Sequence, residues 1–297
     1  MTSSNSMSMP REEYIEQEYF FRVYRERLQQ NMPSQDILKT VHEEILSTTR
    51  LPMAVDFMRA EILHTGRIGT AMARLAHYFT PFQTYVISMA EEEVSRFDQI
   101  TALEILEREA RYRADNGMPA GVFVYQLECL SRNRLGYSEG LKAMAGDTCY
   151  DADWKKWILS LRNALGVSEL SELIYRVSDH IWTRQQLESR VPVDPNAPRP
   201  RTLFGEQEGR IARANIGRDP LYFFSALQRQ LNYPKVPLSK QIFDEKLPPF
   251  LEARLTKIEQ RMKIVEMEQK GGIDLTRFYK KPDDTEPPAF TDDVGMR

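Results

Sequence analysis

Two cysteines, four histidines and no long apolar run in 297 residues exclude several kinds of protein before any motif is sought. Cys129 and Cys149 are too few for a disulfide framework and lack CxxC spacing, which fits a reducing compartment. No stretch is apolar for long enough to span a bilayer, and the opening residues, MTSSNSMSMPREEY, hold no apolar signal core. Lys plus Arg number 40 against 43 Asp plus Glu, and a net charge of -3 gives no general attraction to nucleic acid or anionic lipid. A Walker loop, a strand-linked GxGxxG and a GxSxG are also missing, which removes the common nucleotide-binding and hydrolase signatures. These absences predict a cytoplasmic protein with no cofactor and no membrane partner, preceded by a disordered leader over 1–9.

Glycine and proline are sparse where the helices should be. The longest stretch free of both runs from Phe82 to Asn116. Phe82, Tyr85, Val86, Met89, Phe97, Ile100, Leu103, Leu106 and Ala110 recur there mostly at steps of three and four, which predicts one long spine helix. Glu91, Glu92 and Glu93 interrupt the stripe, so the helix bends there or splits, with Ser95 as cap of the second half. Ahead of the spine, Ser8 caps a first helix to about Met32, rich in Tyr14, Tyr19, Phe20, Phe21 and Tyr24. Such aromatic density reads as core rather than as a ligand-stacking face. Three more helices come next, from Pro33-Ser34, from Pro52 to Gly66, and around Ile68 to Phe79. Beyond the spine we expect helices over Pro119 to Leu135, from Asp151 to Gly166, and from Ser168 to about Arg190.

Proline is spread unevenly: five of the 17 precede Val191 and twelve come after it. Pro192, Pro195, Pro198 and Pro200 stiffen the chain into extended conformations. The fold class expected is therefore all-α, with a bundle-like helical body over 10–190 and a proline-broken arm after it. The arm divides into a Pro/Arg-rich linker (191–219), a short helix (220–232), a second linker (233–248), a coiled-coil helix (249–270) and a disordered tail (271–297). That boundary predicts a protease-resistant fragment ending close to Arg190 or Arg201.

Three features carry candidate chemistry. Glu61 and His64 form the only Glu-x-x-His, a spacing that puts carboxylate and imidazole on one helical face, but the second pair a di-metal bundle needs is missing. His42, Glu43 and the Glu91 to Glu93 run are the remaining donors for a mononuclear site. Asp147, Asp151 and Asp153 invite calcium, yet Ala152 and Ile158 stand where an EF-hand requires glycine and glutamate, so helix capping is the better reading. Arg199, Arg201, Arg210, Arg213 and Arg218 form a segment suited to anions or nucleic acid, diluted by Glu206, Glu208 and Asp219.

The most specific pattern is the last helix. Leu251, Leu255, Ile258, Met262 and Val265 repeat at steps of four and three, the seam of a coiled coil. Parallel pairing sets Arg254 against Glu259 and Arg261 against Glu266 of a partner helix. The sequence therefore points to a non-catalytic assembly or adaptor protein that forms a homo-oligomer through this helix and binds a further protein. The alternatives are a metal-dependent helical-bundle enzyme using Glu61 and His64, and an anion-binding module.

Overall fold

The aromatic helix expected first is α1 (Arg11–Gln29), and its Phe20, Phe21 and Tyr24 are fully buried. The computed structural model describes residues 9–45, 47–92, 97–188 and 201–239, all within one compact unit, Met1–Asp244. Twelve further helices are present among these residues: α2 (Ser34–Glu44), α3 (Leu51–Thr65), α4 (Ile68–Arg74), α5 (Pro81–Glu91), α6 (Gln99–Ala114), α7 (Pro119–Arg132), α8 (Tyr137–Ala145), α9 (Ala152–Ala164), α10 (Leu170–Arg176), α11 (Asp179–Glu188), α12 (Glu206–Ala214) and α13 (Pro220–Leu231). The only β-contacts among them are two isolated bridges, Leu165 with Ser168 and Ser178 with Phe204. The described part is all-α. The expected leader, the Ser8 and Ser95 caps, the 249–270 helix and the 271–297 tail lie outside the described residues.

The spine is two helices rather than one. α5 opens on a capping box, in which Gln83 N donates to Thr80 Oγ1 at 3.2 Å and Thr80 N donates to Gln83 Oε1 at 3.0 Å. α6 starts anew at Asp98, whose carboxylate accepts from Thr101 N at 2.8 Å. The apolar stripe survives the break: Phe82, Val86, Phe97, Leu103, Leu106 and Ala110 are buried, and α6 lies along α1 in the most extensive helix pair. Phe79 joins Phe20 and Phe21 at centroid distances of 6.5 and 6.2 Å, so the aromatic face of α1 is core.

Two helices receive their caps from elsewhere in the fold. α3 and α4 begin at Arg50 and Arg67, neither of which caps its own helix. Glu13 on α1 instead accepts from Arg50 N at 3.0 Å, and Glu91 at the end of α5 accepts from Ile68 N at 2.6 Å and Gly69 N at 3.0 Å. The orphan amides of a helix start favour a carboxylate. Glu91 thus closes a neighbouring helix instead of supplying a metal donor.

The helix expected from Ser168 to Arg190 is divided at Val177. Its carbonyl accepts from Leu203 N at 2.9 Å, while Asp179 N donates to Phe204 O at 2.9 Å. These bonds to a returning segment replace the helical ladder and turn the chain into α11. The segment brings Phe204 against Phe123, Trp154 and Trp157, at centroid distances of 6.0, 5.2 and 5.6 Å. α12 then packs on the start of α11 so closely that a Cβ at Gly209 would lie 2.6 Å from His180 Cβ.

Residues 201–239 therefore pack into the body, although the sequence pattern set them beyond it. α13 lies on α7, and the chain from Leu231 to Ser239 is sewn down by side chains of α6 and α7 and the residue after α7. Tyr112 OH donates to Leu231 O at 2.8 Å, and Tyr233 OH donates to Glu128 Oε2 at 2.7 Å. Asn133 Nδ2 donates to Pro237 O and its Oδ1 accepts from Ser239 N, both at 3.0 Å. Pro220 opens α13, and Pro234 and Pro237 follow its end without detaching the chain, because side chains bond the backbone on either side of them.

Phe204→Ala should cost about 3–5 kcal/mol in urea unfolding, the usual penalty for emptying an aromatic core position. Cleavage between residues 189 and 200 should leave both fragments co-eluting on gel filtration; release of the C-terminal fragment would restore the boundary at 190.

Candidate interaction surfaces and the buried ion cluster

The best-formed polar constellation lies inside the molecule. Arg113 of α6 is buried between Glu109, one turn earlier, and Asp147 in the loop after α8. Its Nη2 meets Glu109 Oε1 at 2.7 Å and also bonds Asp147 Oδ2. Gln126 of α7 donates to Glu109 Oε1 at 2.7 Å and accepts from Tyr150 OH at 2.9 Å. Cys149 N closes on Asp147 Oδ1 at 3.0 Å, and the Tyr14 ring of α1 stands 5.9 Å from the guanidinium carbon.

Burial pushes the two carboxyls the same way, and their partners separate them. Glu109 stays above its ordinary value because burial outweighs the attraction of Arg113. For Asp147, Arg113 and the Cys149 amide overcome burial and hold the carboxyl below its ordinary value. The Cys149 thiol is pushed up to about 12, chiefly by burial, so it is a poor nucleophile. The side chains in this cluster bond one another, which is the arrangement of a structural clamp. The sequence pattern places Asp147 with Asp151 and Asp153 as helix-capping acids. Asp151 does cap α9, accepting from Trp154 N at 2.9 Å, whereas Asp147 is the partner of Arg113. The Glu-x-x-x-Arg step from 109 to 113 on a buried helix face was the available signal.

Glu61 and His64 lie one turn apart on α3. Glu61 accepts from Arg74 Nη1 at 2.5 Å, and His64 is exposed. His42 pairs with Asp56 at 3.0 Å. Among the described residues, no group of three or more His, Cys, Asp or Glu side chains is arranged to hold a metal. In the arginine segment, Arg201 pairs with Asp153 at 3.2 Å and Arg210 with Glu206 at 2.9 Å, and both arginines line a cleft of about 660 Å³. Arg213 and Arg218 are exposed, and Arg199 lies outside the described residues. So do Leu251, Leu255, Ile258, Met262, Val265, Arg254, Glu259, Arg261 and Glu266.

Among the described residues, two apolar surfaces are exposed. On α3, Met53, Phe57 and Ala60 succeed one another at steps of four and three with Leu63 beside them, and Met53 and Leu63 are 73% and 67% exposed. Their neighbouring charges are paired among themselves, Asp56 with Arg59 at 3.1 Å and Glu61 with Arg74. The second surface is a corner made by the α9–α10 turn and the α12–α13 turn. Gly217 N donates to Glu169 Oε2 at 2.7 Å and holds the two turns together, with Val167, Ile216, Leu221 and Tyr222 all exposed. Neither surface has a sequence motif; each is the unburied remainder of an amphipathic pattern.

No protein-family model, curated protein or solved structure matches this chain. Among the described residues, no helix is long and apolar enough to cross a membrane.

Arg113→Met should destabilise the protein by about 3–5 kcal/mol, because two buried carboxylates lose their counter-charge. Asp147, with a depressed value, contributes stability that is present above pH ~4 and lost as pH falls through its folded pKa. Glu109, with a raised value, has the opposite sign and loses its contribution as pH rises through its folded pKa. Urea midpoints tracked against pH should therefore fall less steeply in acid for Asp147→Asn, and less steeply toward neutral pH for Glu109→Gln.

Proposed function

We propose that this protein is a non-catalytic cytoplasmic assembly or adaptor protein, in which the helical body binds a partner protein and the C-terminal segment brings copies together. The observation that carries the reading is the apolar face of α3, with Met53, Phe57 and Leu63 exposed on a helix whose opposite side is fully packed. Exposed side chains of this size in one row suit a partner helix or groove. The interior supports the same reading, since Arg113 bonds both Glu109 and Asp147 inside the body.

Self-association rests on the Leu251, Leu255, Ile258, Met262 and Val265 seam with its Arg254–Glu259 and Arg261–Glu266 pairs. Homo-oligomers of this kind present one body surface per copy, which multiplies weak contacts into avidity.

Light scattering at tens of micromolar should show a multimer for the full chain and a monomer for a chain ending at Pro248. Leu255→Asp with Ile258→Asp should reproduce the truncation. For the body, Met53→Asp with Leu63→Asp should leave the circular dichroism unchanged and remove specific proteins from a pull-down read by mass spectrometry. A monomeric full chain, together with pull-downs that do not differ, overturns the assignment.

A further inference from the structure

Residues 233–239 follow α13 across the body without helix or strand, and they are held differently from the other extended return. That return, around Leu203, is bonded through its backbone, Leu203 N donating to Val177 O. Among the described residues, no backbone–backbone bond fixes 233–239. Side chains of the body grip its main chain instead. Arg108 of α6 donates to Lys235 O, and Asn133 donates to Pro237 O while accepting from Ser239 N, both at 3.0 Å. A carboxamide that bonds a carbonyl and the amide two residues on recognises peptide backbone whatever the side chains.

The side chains of the segment follow a period of three. Tyr233, Val236 and Ser239 are buried, with Pro237 covered beside them, whereas Lys235 and Leu238 are exposed. Pro234 and Pro237 are also three residues apart. Three residues make one turn of a polyproline helix, which has no internal hydrogen bonds and leaves its carbonyls to outside donors. The buried ridge faces α6 and α7. The Tyr233 ring lies 6.2 Å from that of Tyr125, centroid to centroid, its hydroxyl donates to Glu128 Oε2 at 2.7 Å, and Ser239 Oγ donates to Asp98 Oδ2 at 2.6 Å. Main-chain bonds combined with anchors at regular intervals are the means by which proteins hold extended and proline-containing peptides.

We propose that this face of α6 and α7 is a recognition site for an extended, proline-containing peptide with an aromatic and a β-branched anchor three residues apart, and that residues 233–239 are its resident ligand, displaced by a partner segment of the same pattern. Release breaks no helix, because α13 ends at Leu231, and an incoming segment reburies the surface that the resident gives up. A tethered resident competes at an effective concentration on the order of millimolar, so a segment presented at high local concentration is needed to replace it. Partners that arrive as assemblies meet that requirement. The inference rests on the adaptor reading of the body and gives it a partner chemistry, and it uses neither the α3 face nor the C-terminal seam.

The test uses the full chain and a labelled peptide, LNYPKVPLS, followed by fluorescence anisotropy. Tyr233→Ala with Val236→Ala removes the resident's anchors and leaves the receiving face intact, so this variant should bind the peptide at least about tenfold tighter than the parent chain. Adding Asn133→Ala should cancel the gain, and a peptide with alanine in place of its tyrosine and valine should bind neither form. Equal affinity of the parent and the anchor variant, or a gain that survives Asn133→Ala, overturns the site. Because the anchor variant removes core contacts, hydrogen exchange on the parent chain supplies a readout that needs no substitution. Unlabelled peptide in millimolar excess should speed exchange at the Ser239 amide, which Asn133 shields, while α6 and α7 stay protected. Exchange at Ser239 that does not respond to the peptide also overturns the site. Met53→Asp with Leu63→Asp should leave peptide binding unchanged. Since the oligomer and the α3 pull-down are read separately, the site can fail while the assembly reading stands.

Discussion

A guanidinium held between two carboxylates in the interior ties this fold together. Arg113 belongs to α6, Glu109 lies one turn before it, Gln126 comes from α7, and Asp147 and Tyr150 from the loop ahead of α9. Tyr14 of α1 covers the same group. An apolar core would tolerate sliding of these helices against one another at modest cost. A desolvated cation does not, because each displacement strands a charge in a medium where it is worth several kcal/mol. The cluster therefore specifies register more than it adds net stability, and hydrophobic burial along α1, α5, α6 and α7 supplies the bulk of the driving force.

Carboxylates serve this fold a second way, as caps delivered across space. Glu13 and Glu91 close helices that carry no capping residue of their own, so α3 and α4 depend on α1 and α5 for their starts. Local and tertiary structure become inseparable there: the sequence around Arg50 and Arg67 is a poor helix start until the neighbour arrives. Glu91 is the last residue of α5, and its oxygens saturate the first amides of α4.

The parts of the fold that were legible in the sequence are those in which a local signal and its structural consequence share the same residues. The apolar period of Val86, Leu103 and Leu106, the Asp151 cap of α9 and the start of α13 at Asp219-Pro220 are of this kind. Breaks imposed from a distance were not legible. Nothing near Val177 announces that its carbonyl will be taken by Leu203 and Phe204, so α10 and α11 read as one helix. Prolines after 190 read as a departure from the body, because their lost amide bonds are visible in sequence while the compensating bonds from Asn133, Tyr112 and Glu128 are not. The Arg113–Asp147 half of the ion cluster was illegible for the same reason: Asp147 lies 34 residues further along the chain, and only the fold makes them neighbours.

The return of Phe204 to the aromatic group on α7 and α9 carries a consequence for how the protein is made. Trp154, Trp157 and Phe123 are synthesised long before the ring that covers them. At about 5–20 residues per second, the interval between Trp157 and Phe204 lasts about 2 to 9 s. Throughout it a nascent chain presents three large aromatic rings that belong to the finished core. That exposed group is a natural recognition point for chaperones at the ribosome, and a polysome of such chains concentrates the same sticky surface many times over. The tertiary closure that completes the helical body thus also ends a stage of biosynthesis in which three large rings lack their cover.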